Sequence, residues 1–447
     1  MLNLERNLKD KSAIVGIIGL GYVGLPLAVA FAQAGFKVIG FDILQKRVDL
    51  VNQGKSFIGD VSSETMAKLV ADRRLQATTD QTRLQEADAI CICVPTPLNK
   101  TKDPDLSYVI NESEEIAKHL HFGQLIVLES TTYPGTTKEV VLPILEKSGL
   151  KAGKEFYLAH SPERVDPGNK KFSVKNTPKL VGGIDAESTR LAALLYSYVT
   201  ERVIPVSSAE VAELSKVFEN VFRNVNIALV NELASLCENM GISVWEVIDA
   251  ASSKPFGYMP FYPGPGVGGH CIPIDPYYLS SKAREYDFHT RFIELAAEIN
   301  ERQPYNVVSH VVEALNSSGV SIKGSKLILL GVAFKKDIAD TRESPSLELV
   351  RLLKRKGADV VYNDPHAPQI KIGDEIIDSV ELTKTRLAGA DCVVIATDHS
   401  AYDYRFIVDN ARMVFDTRGA TRKIDSRNII RLGEPMQAIF MPQTVVK

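Results

Sequence analysis

The chain lacks the long apolar segment that a membrane span needs. Its longest apolar stretches, such as Ile227–Val230 and Ala87–Val94, fall far short of the ~20 residues required. The opening residues M-L-N-L-E-R-N-L-K-D-K hold no continuous apolar core, which argues against a secretory signal. Charge of neither sign is in excess: 52 Lys+Arg against 55 Asp+Glu leave a net −3. Nothing therefore points to nucleic acid or an anionic membrane as partner, although a local basic pocket for a small phosphate is allowed. Cysteine is scarce. The five residues, at 91, 93, 237, 271 and 392, follow neither a zinc nor a secreted disulfide spacing. A reducing cytoplasm is the expected setting, and no metal site is expected.

What is present is ordinary for a globular protein with sizeable cores: 447 residues, 45% hydrophobic and 24% charged. At about 150 residues per domain the length suggests three domains. The pattern places them at 1–207, 208–318 and 319–447. In the first, short apolar runs alternate with helical patterns: strands are predicted at 13–18, 37–41, 89–94, 124–128, 156–159 and 179–181, with a helix over 25–34 stopping at Gly35. That alternation indicates a mostly parallel sheet covered on both faces. From Ser208 to about Asn239 runs a long helical stretch without Pro or Gly, rich in Val, Leu, Phe and Asn and apolar on more than one side. More helix follows to about Ser252. A loop dense in Gly and Pro comes next, Phe261–Pro276, and a helix is predicted from about Tyr277 to Leu315. At Lys326 the α/β rhythm restarts, and Ala390–Asp398 echoes Ala87–Pro95. The third segment reads as a degenerate copy of the first without its glycine triplet. The expected fold is α/β: two Rossmann-like domains joined by a central helical domain with a long helix.

Gly19-Leu20-Gly21-Tyr22-Val23-Gly24 follows a strand and opens a helix. The first glycine permits the tight turn, the second lets backbone approach a pyrophosphate, and the third packs helix against strand. The helix N-terminus then offers N–H groups to phosphate. Asp42 ends the next strand, 18 residues past Gly24. A carboxylate there accepts ribose hydroxyls and repels a 2′-phosphate, favouring NAD over NADP. Val94-Pro95-Thr96-Pro97 ends a later strand, where loops face the cofactor or simply turn the chain.

Cys271 stands apart from the other cysteines, in the loop G-G-H-C-I-P-I-D. Glycines let a substrate approach and prolines fix the loop's shape, as a nucleophilic thiol requires. Alone, such a cysteine is more often structural, and neighbouring His270 more often a packing residue. Lys216 and Asn220 lie four residues apart, hence on one face of the long helix. A lysine on an apolar helix either snorkels to the surface or has a partner or task.

Together these motifs resemble the UDP-glucose/GDP-mannose dehydrogenase family. The likeness runs from Ile14 to about Gly419. It rests on G-L-G-Y-V-G-L-P-L at Gly19, V-P-T-P-L at Val94, E-S-T-T-Y-P-G-T-T at Glu129, S-P-E-R-V-D-P-G at Ser161, the Lys216/Asn220 helix, P-G-P-G-V-G-G-H-C-I-P-I-D-P at Pro263 and F-K-K-D-I-A-D-T-R-E-S at Phe334. The set is most similar to the UDP-N-acetylglucosamine 6-dehydrogenase branch, chiefly at Glu129 and Ser161.

The resemblance implies a four-electron oxidation of a UDP-sugar C6 alcohol by two NAD⁺. Cys271 would be the nucleophile, forming a thiohemiacetal and then a thioester. Lys216 and Asn220 would stabilise the oxyanion, and Asp275 would orient Lys216 or water. Thr132 and Glu163 would serve a bound water and hydrolysis. The candidate cofactor contacts are Gly19, Gly21, Tyr22, Val23, Gly24, Asp42, Arg47, Pro95, Thr96 and Thr132. Those for substrate are Glu163, Arg164, Lys216, Asn220, Tyr262, Gly268, Lys335 and Arg342; without the resemblance Lys335 and Arg342 would read as solvated charges. The family also implies a homodimer through the central helical domain. The alternatives keep the chemistry and change the sugar (UDP-glucose, UDP-N-acetylgalactosamine or -mannosamine, GDP-mannose), abandon catalysis for nucleotide sensing, or replace it with a two-domain hydroxyacid-type dehydrogenase.

Overall fold

The computed structural model describes residues 2–99, 102–164, 169, 171–269 and 271–435. Two segments of the motifs above, His270 and residues 165–168, lie outside the described residues. The chain forms two compact units, one comprising Met1–Glu219 and Tyr277–His289, the other Asn220–Pro276 and Thr290–Lys447.

The first unit is built on eight strands: β1 (Ile14–Ile18), β2 (Lys37–Phe41), β3 (Leu75–Thr78), β4 (Ala89–Ile92), β5 (Leu125–Leu128), β6 (Tyr157–His160), β7 (Lys179–Gly183) and β8 (Val203–Pro205). Their order in the sheet is β3-β2-β1-β4-β5-β6-β7-β8. All neighbours are parallel except β6 and β7. A parallel sheet is buried on both faces, which is why its strands read as unbroken apolar runs. Alternate residues serve opposite cores. Val15, Ile17, Cys91 and Val127 pack with the helix Gly24–Gln33, whereas Ile18, Ile90, Ile92 and Ile126 pack on the other side.

The second unit carries β9 (Lys326–Leu330), β10 (Asp359–Asn363), the hairpin β11 (Gln369–Ile372) and β12 (Glu375–Asp378), β13 (Cys392–Ile395), β14 (Val414–Asp416) and β15 (Ile429–Arg431). Apart from the hairpin they form one parallel sheet in the order β10-β9-β13-β14-β15. The winding about β9 repeats that about β1, with β13 in the place of β4. The repetition extends to detail. Asp42, after β2, accepts the Leu20 amide beyond β1 at 3.0 Å. Asp364, after β10, accepts the Val332 and Ala333 amides beyond β9 at 2.7 and 3.1 Å. The two α/β sheets expected from the sequence are therefore present.

The central region is helical, with helices at Ala209–Met240, Val244–Ser252 and Arg291–Ser317. The first has 32 residues. Phe218, Phe222, Leu229, Leu236 and Met240 stand exposed along it in this single chain. One expectation fails. Instead of a continuous helix from Tyr277 to Leu315, the structure has Asp275–Arg284 and Arg291–Ser317. Asp287 takes a left-handed conformation (φ 54°) in the break. Aspartate tolerates that region, so neither Gly nor Pro is needed to stop the helix and none flags it in the sequence.

The buried frame of the first unit contains one full ion pair. Lys179 Nζ lies 2.5 Å from Glu129 and 3.8 Å from Glu163. Tyr196 also donates to Glu129, whose side chain is wholly buried. Burial opposes the charge on Lys179, but the two carboxylates outweigh it and hold the amine protonated. Removing one partner strands the other charge, so Lys179→Met should cost about 3–5 kcal/mol in urea unfolding, and adding Glu129→Gln should recover most of it. A loss below about 1 kcal/mol for Lys179→Met would mean that the pair does not hold this frame.

Candidate active site

The sheet order reverses between β1 and β4, and a crevice at such a switch point, outside the carboxyl ends of the strands, is where doubly wound sheets bind dinucleotides. The glycine motif leaves β1 at that point. A Cβ on Gly19 (φ 88°) would lie 2.6 Å from the Cys93 carbonyl, and one on Gly24 would lie 1.9 Å from the Gly19 carbonyl. Both positions therefore require glycine. A Cβ on Gly21 would meet nothing within 4 Å, leaving open space on its side of the turn. Val23 caps the helix Gly24–Gln33 without a side-chain hydrogen bond to its amides, which suits a phosphate acceptor.

The loop after β4 is tied to the loop after β5. Thr96 Oγ1 donates to the Thr131 carbonyl (2.8 Å) and Ser130 Oγ to that of Val94 (2.8 Å). Tyr278 donates to the Thr96 carbonyl (2.9 Å), and Pro95 stays exposed. Thr132 is buried, and its hydroxyl has no hydrogen-bond partner among the described residues. The open glycine turn and this orphaned hydroxyl fit a bound dinucleotide, with Gly19–Gly24, Asp42, Thr96 and Thr132 as the residues that would hold it.

Asp42 does more than the sequence suggested. Its carboxylate accepts from Leu20 N and Leu44 N (2.9 Å) and pairs with Arg47 at 3.1 Å, so it also locks the glycine loop. Arg47, a candidate cofactor contact, is engaged with Asp42 and lies over the Phe57 ring. Tyr22, Val23 and Glu163 line one cavity of about 880 Å³ in this unit. Arg164 is committed to Glu219 (2.6 Å) and to the Pro178 carbonyl (2.8 Å). Glu129, which opens the motif E-S-T-T-Y-P-G-T-T, is a buried partner of Lys179. Lys216 is half-buried on the long helix, one turn from Asn220.

In the second unit Cys271 is exposed, while the other four cysteines are buried. Burial pushes Cys91 and Cys392 up to about 12 and raises Cys93 and Cys237 as well, so none of these is a ready nucleophile. The Cys271 carbonyl accepts from Ile274 N (3.1 Å) and Asp275 N (2.8 Å), a turn that opens the helix Asp275–Arg284. Buried Asn220 donates to buried Asp275 at 2.5 Å.

Three asparagines that sequence reading passed over complete the frame. Asn224 donates to the Ile272 carbonyl (3.2 Å), Asn231 accepts from Gly264 N (3.0 Å), and Asn300 donates to the Asn224 carbonyl (3.0 Å). Asn224 and Asn231 follow Asn220 at spacings of four and then seven on one largely apolar helix, a pattern visible in the sequence, whereas Asn300 comes from the helix Arg291–Ser317. On its other side the loop meets the segment 334–345. A Cβ on Gly268 would lie 2.7 Å from Phe334 and 2.8 Å from the Glu343 carbonyl, so only glycine fits.

Tyr262 stacks on Trp245 (6.0 Å) and donates to Asp249 (3.2 Å). Lys335, next to Phe334, is half-buried; exposed Arg342 pairs with Asp340 at 2.5 Å. Asp337, His366 and His399 gather beyond β9, β10 and β13. His399 spends both ring nitrogens on Asp364 (3.0 Å) and the Asp337 amide (2.9 Å), which makes this group a tie within the frame.

Comparison with known proteins decides the family. Residues 13–200, 210–302 and 328–423 match, in turn, the NAD binding, central and UDP binding domains of the UDP-glucose/GDP-mannose dehydrogenase family. The chain belongs to this family. The dehydrogenase is 37% identical over 416 residues to protein CapL of Staphylococcus aureus (91% of this chain, 95% of the relative). It is 36% identical to the UDP-N-acetyl-D-glucosamine 6-dehydrogenase of Pseudomonas aeruginosa (89% and 98%). Its fold superposes on UDP-D-ManNAc dehydrogenase from Pyrococcus horikoshii with a TM-score of 0.86 at 32% identity, covering 94% and 99% of the two chains. It is thus an NAD-dependent oxidoreductase of the nucleotide-sugar dehydrogenase family. Among the described residues no helix of the dehydrogenase is long and apolar enough to cross a membrane.

Asp42→Ala should raise the KM for NAD about 10-fold or more and narrow the preference over NADP, because ribose acceptor, phosphate repulsion and loop lock are lost together and Arg47 is released. Steady-state kinetics with both cofactors checks this; an unchanged NAD/NADP ratio would remove Asp42 from cofactor recognition.

Proposed function

We propose that the protein oxidises the C6 alcohol of UDP-N-acetylglucosamine to the carboxylate with two NAD⁺, through a covalent intermediate on Cys271. The observation that carries this reading is an exposed cysteine, unlike the four buried ones, on a loop whose neighbour Asp275 is tied to Asn220. Bound NAD supplies the hydride acceptor for each two-electron step. Lys216 and Asn220 stabilise the oxygen of the first tetrahedral centre as the alcohol loses its proton. The Cys271 sulfur adds to the aldehyde carbon as the C=O π bond opens and the thiol proton passes to its oxygen, giving a thiohemiacetal that again carries a transferable C–H. Loss of that hydride leaves a thioester. Water adds to its carbonyl and gives a proton to Glu163; the C–S bond breaks and the electron pair returns to sulfur. Asp275 orients Asn220, Thr132 holds the water, and Lys335 and Arg342 bind the diphosphate.

The sugar assignment draws on the relatives. Several at 34–37% identity have names that specify a 2-acetamido sugar; among solved structures those named for such sugars stand at 29–32%, beside 27% for a UDP-glucose dehydrogenase from Pyrobaculum islandicum. A pocket built to hydrogen-bond the acetamido group disfavours UDP-glucose, since its own polar groups would be left unpaired at about 1–3 kcal/mol each. A second reading, UDP-N-acetyl-D-mannosamine, is favoured by relatives of that name at up to 37% identity.

Cys271→Ser should abolish completed turnover; full carboxylate production by Cys271→Ala would sink the covalent route. For the wild type, kcat/KM should be highest for UDP-N-acetylglucosamine, well above UDP-glucose and more modestly above the manno and galacto epimers. A higher value for the manno epimer reverses the assignment at C2, and one for UDP-glucose overturns the acetamido reading, with the mechanism intact in both cases.

A further inference from the structure

Asn220, Asn224 and Asn231 lie four and seven residues apart on the helix Ala209–Met240, on one side of it. All three are buried, as is Asn300 from the helix Arg291–Ser317. A primary amide is costly to bury unless its donor and acceptor are used. Here the donors of Asn220 and Asn224 and the acceptor of Asn231 are used on the cysteine loop, whereas Asn224 Oδ1 is buried without a hydrogen-bond partner among the described residues. Asn231 takes the Gly264 amide, Asn224 holds the Ile272 carbonyl, and Asn220 holds the Asp275 carboxylate. The three contacts bracket Cys271 on both sides in sequence, one of them on the adjoining residue. Asn300 braces the row, donating to the Asn224 carbonyl and accepting from Asn231 (3.1 Å).

We propose that Asn224, braced by Asn231 and Asn300, is a positioning residue for Cys271. The inference rests on the reading of Cys271 as the nucleophile. A sulfur that must add to an aldehyde and then leave a thioester needs a fixed place, because a misplacement of about 1 Å can cost about 10²-fold in rate. The loop's own backbone supplies few hydrogen bonds toward that fixity, since four of its sixteen residues, 261–276, are prolines without an N–H and four are glycines. The Ile272 carbonyl lies one peptide beyond Cys271, inside the turn that Ile274 N and Asp275 N close on the Cys271 carbonyl, so loss of the Asn224 amide removes the side-chain anchor of that turn next to the thiol.

The test uses the full-length protein. Cys271 is the exposed cysteine among five, so iodoacetamide labelling followed by mass spectrometry reports its setting without any turnover. Asn224→Leu, and independently Asn224→Asp, which keeps the size but removes the donor, should change the Cys271 labelling rate severalfold. Both should lower kcat about 10-fold or more, with the KM for NAD within about twofold of wild type. Asn226→Leu is the control: its amide bonds back to the Phe222 carbonyl on the same helix, and it should change neither readout. Unchanged labelling in both Asn224 variants, or a lowered Tm with unchanged labelling, assigns the row to stability and overturns the proposal. Full carboxylate production by Cys271→Ser would instead defeat the nucleophile reading, while the labelling rates still report whether Asn224 places the loop.

Discussion

A loop with four prolines and four glycines in sixteen residues cannot build a hydrogen-bond ladder of its own. Proline removes donors, and glycine adds conformational entropy that folding must overcome. Yet this loop presents Cys271 beside the start of a helix, which demands a single shape. The partners come from elsewhere in the same unit: asparagine amides of the long helix on one side, and Phe334, Glu343 and Pro345 against Gly268 on the other. The buried asparagines of an otherwise apolar helix, the glycines that nothing else could replace, and the exposure of one cysteine among five are three consequences of that single constraint.

The proposed chemistry rests on the same division between buried and exposed cysteines. Cys91, Cys93, Cys237 and Cys392 fill cores, where a thiolate is disfavoured. Cys271 is the exposed residue among the five. Its following turn closes on its own carbonyl, and Asn220 meets Asp275 one step further on. The segment that supports Gly268 also carries Lys335 and Arg342, so the cysteine loop and the proposed diphosphate contacts belong to one packed body. The second sheet keeps the first sheet's plan, down to Asp364 in the place of Asp42. There His399 also binds the carboxylate, so the repeated frame is tied up internally where the first leaves an open glycine turn.

Much of this was legible because its signals are local. The strand–glycine turn–helix unit and the Asp after the second strand each lie within a few tens of residues, and the echo of Ala87–Pro95 in Ala390–Asp398 needs only two nine-residue runs to be compared. What the sequence left hidden has the opposite origin. Glu129 and Arg164 carry charges whose partners, Lys179 and Glu219, lie 50 and 55 residues away, so the sequence showed the charge and hid its neutraliser. Asn224 meets Ile272 across 48 residues and Asn300 across 76, and went unread for the same reason. The helix break at 285–290 escaped because an aspartate, not a glycine, takes the left-handed turn.

A cysteine-dependent dehydrogenase carries its substrate past the aldehyde, and that is countable. Full-length protein supplied with UDP-N-acetylglucosamine and excess NAD should form two NADH for each uronate released, with no aldehyde accumulating in solution. One NADH per sugar, with the aldehyde as the released product, would contradict a covalent four-electron oxidation at Cys271.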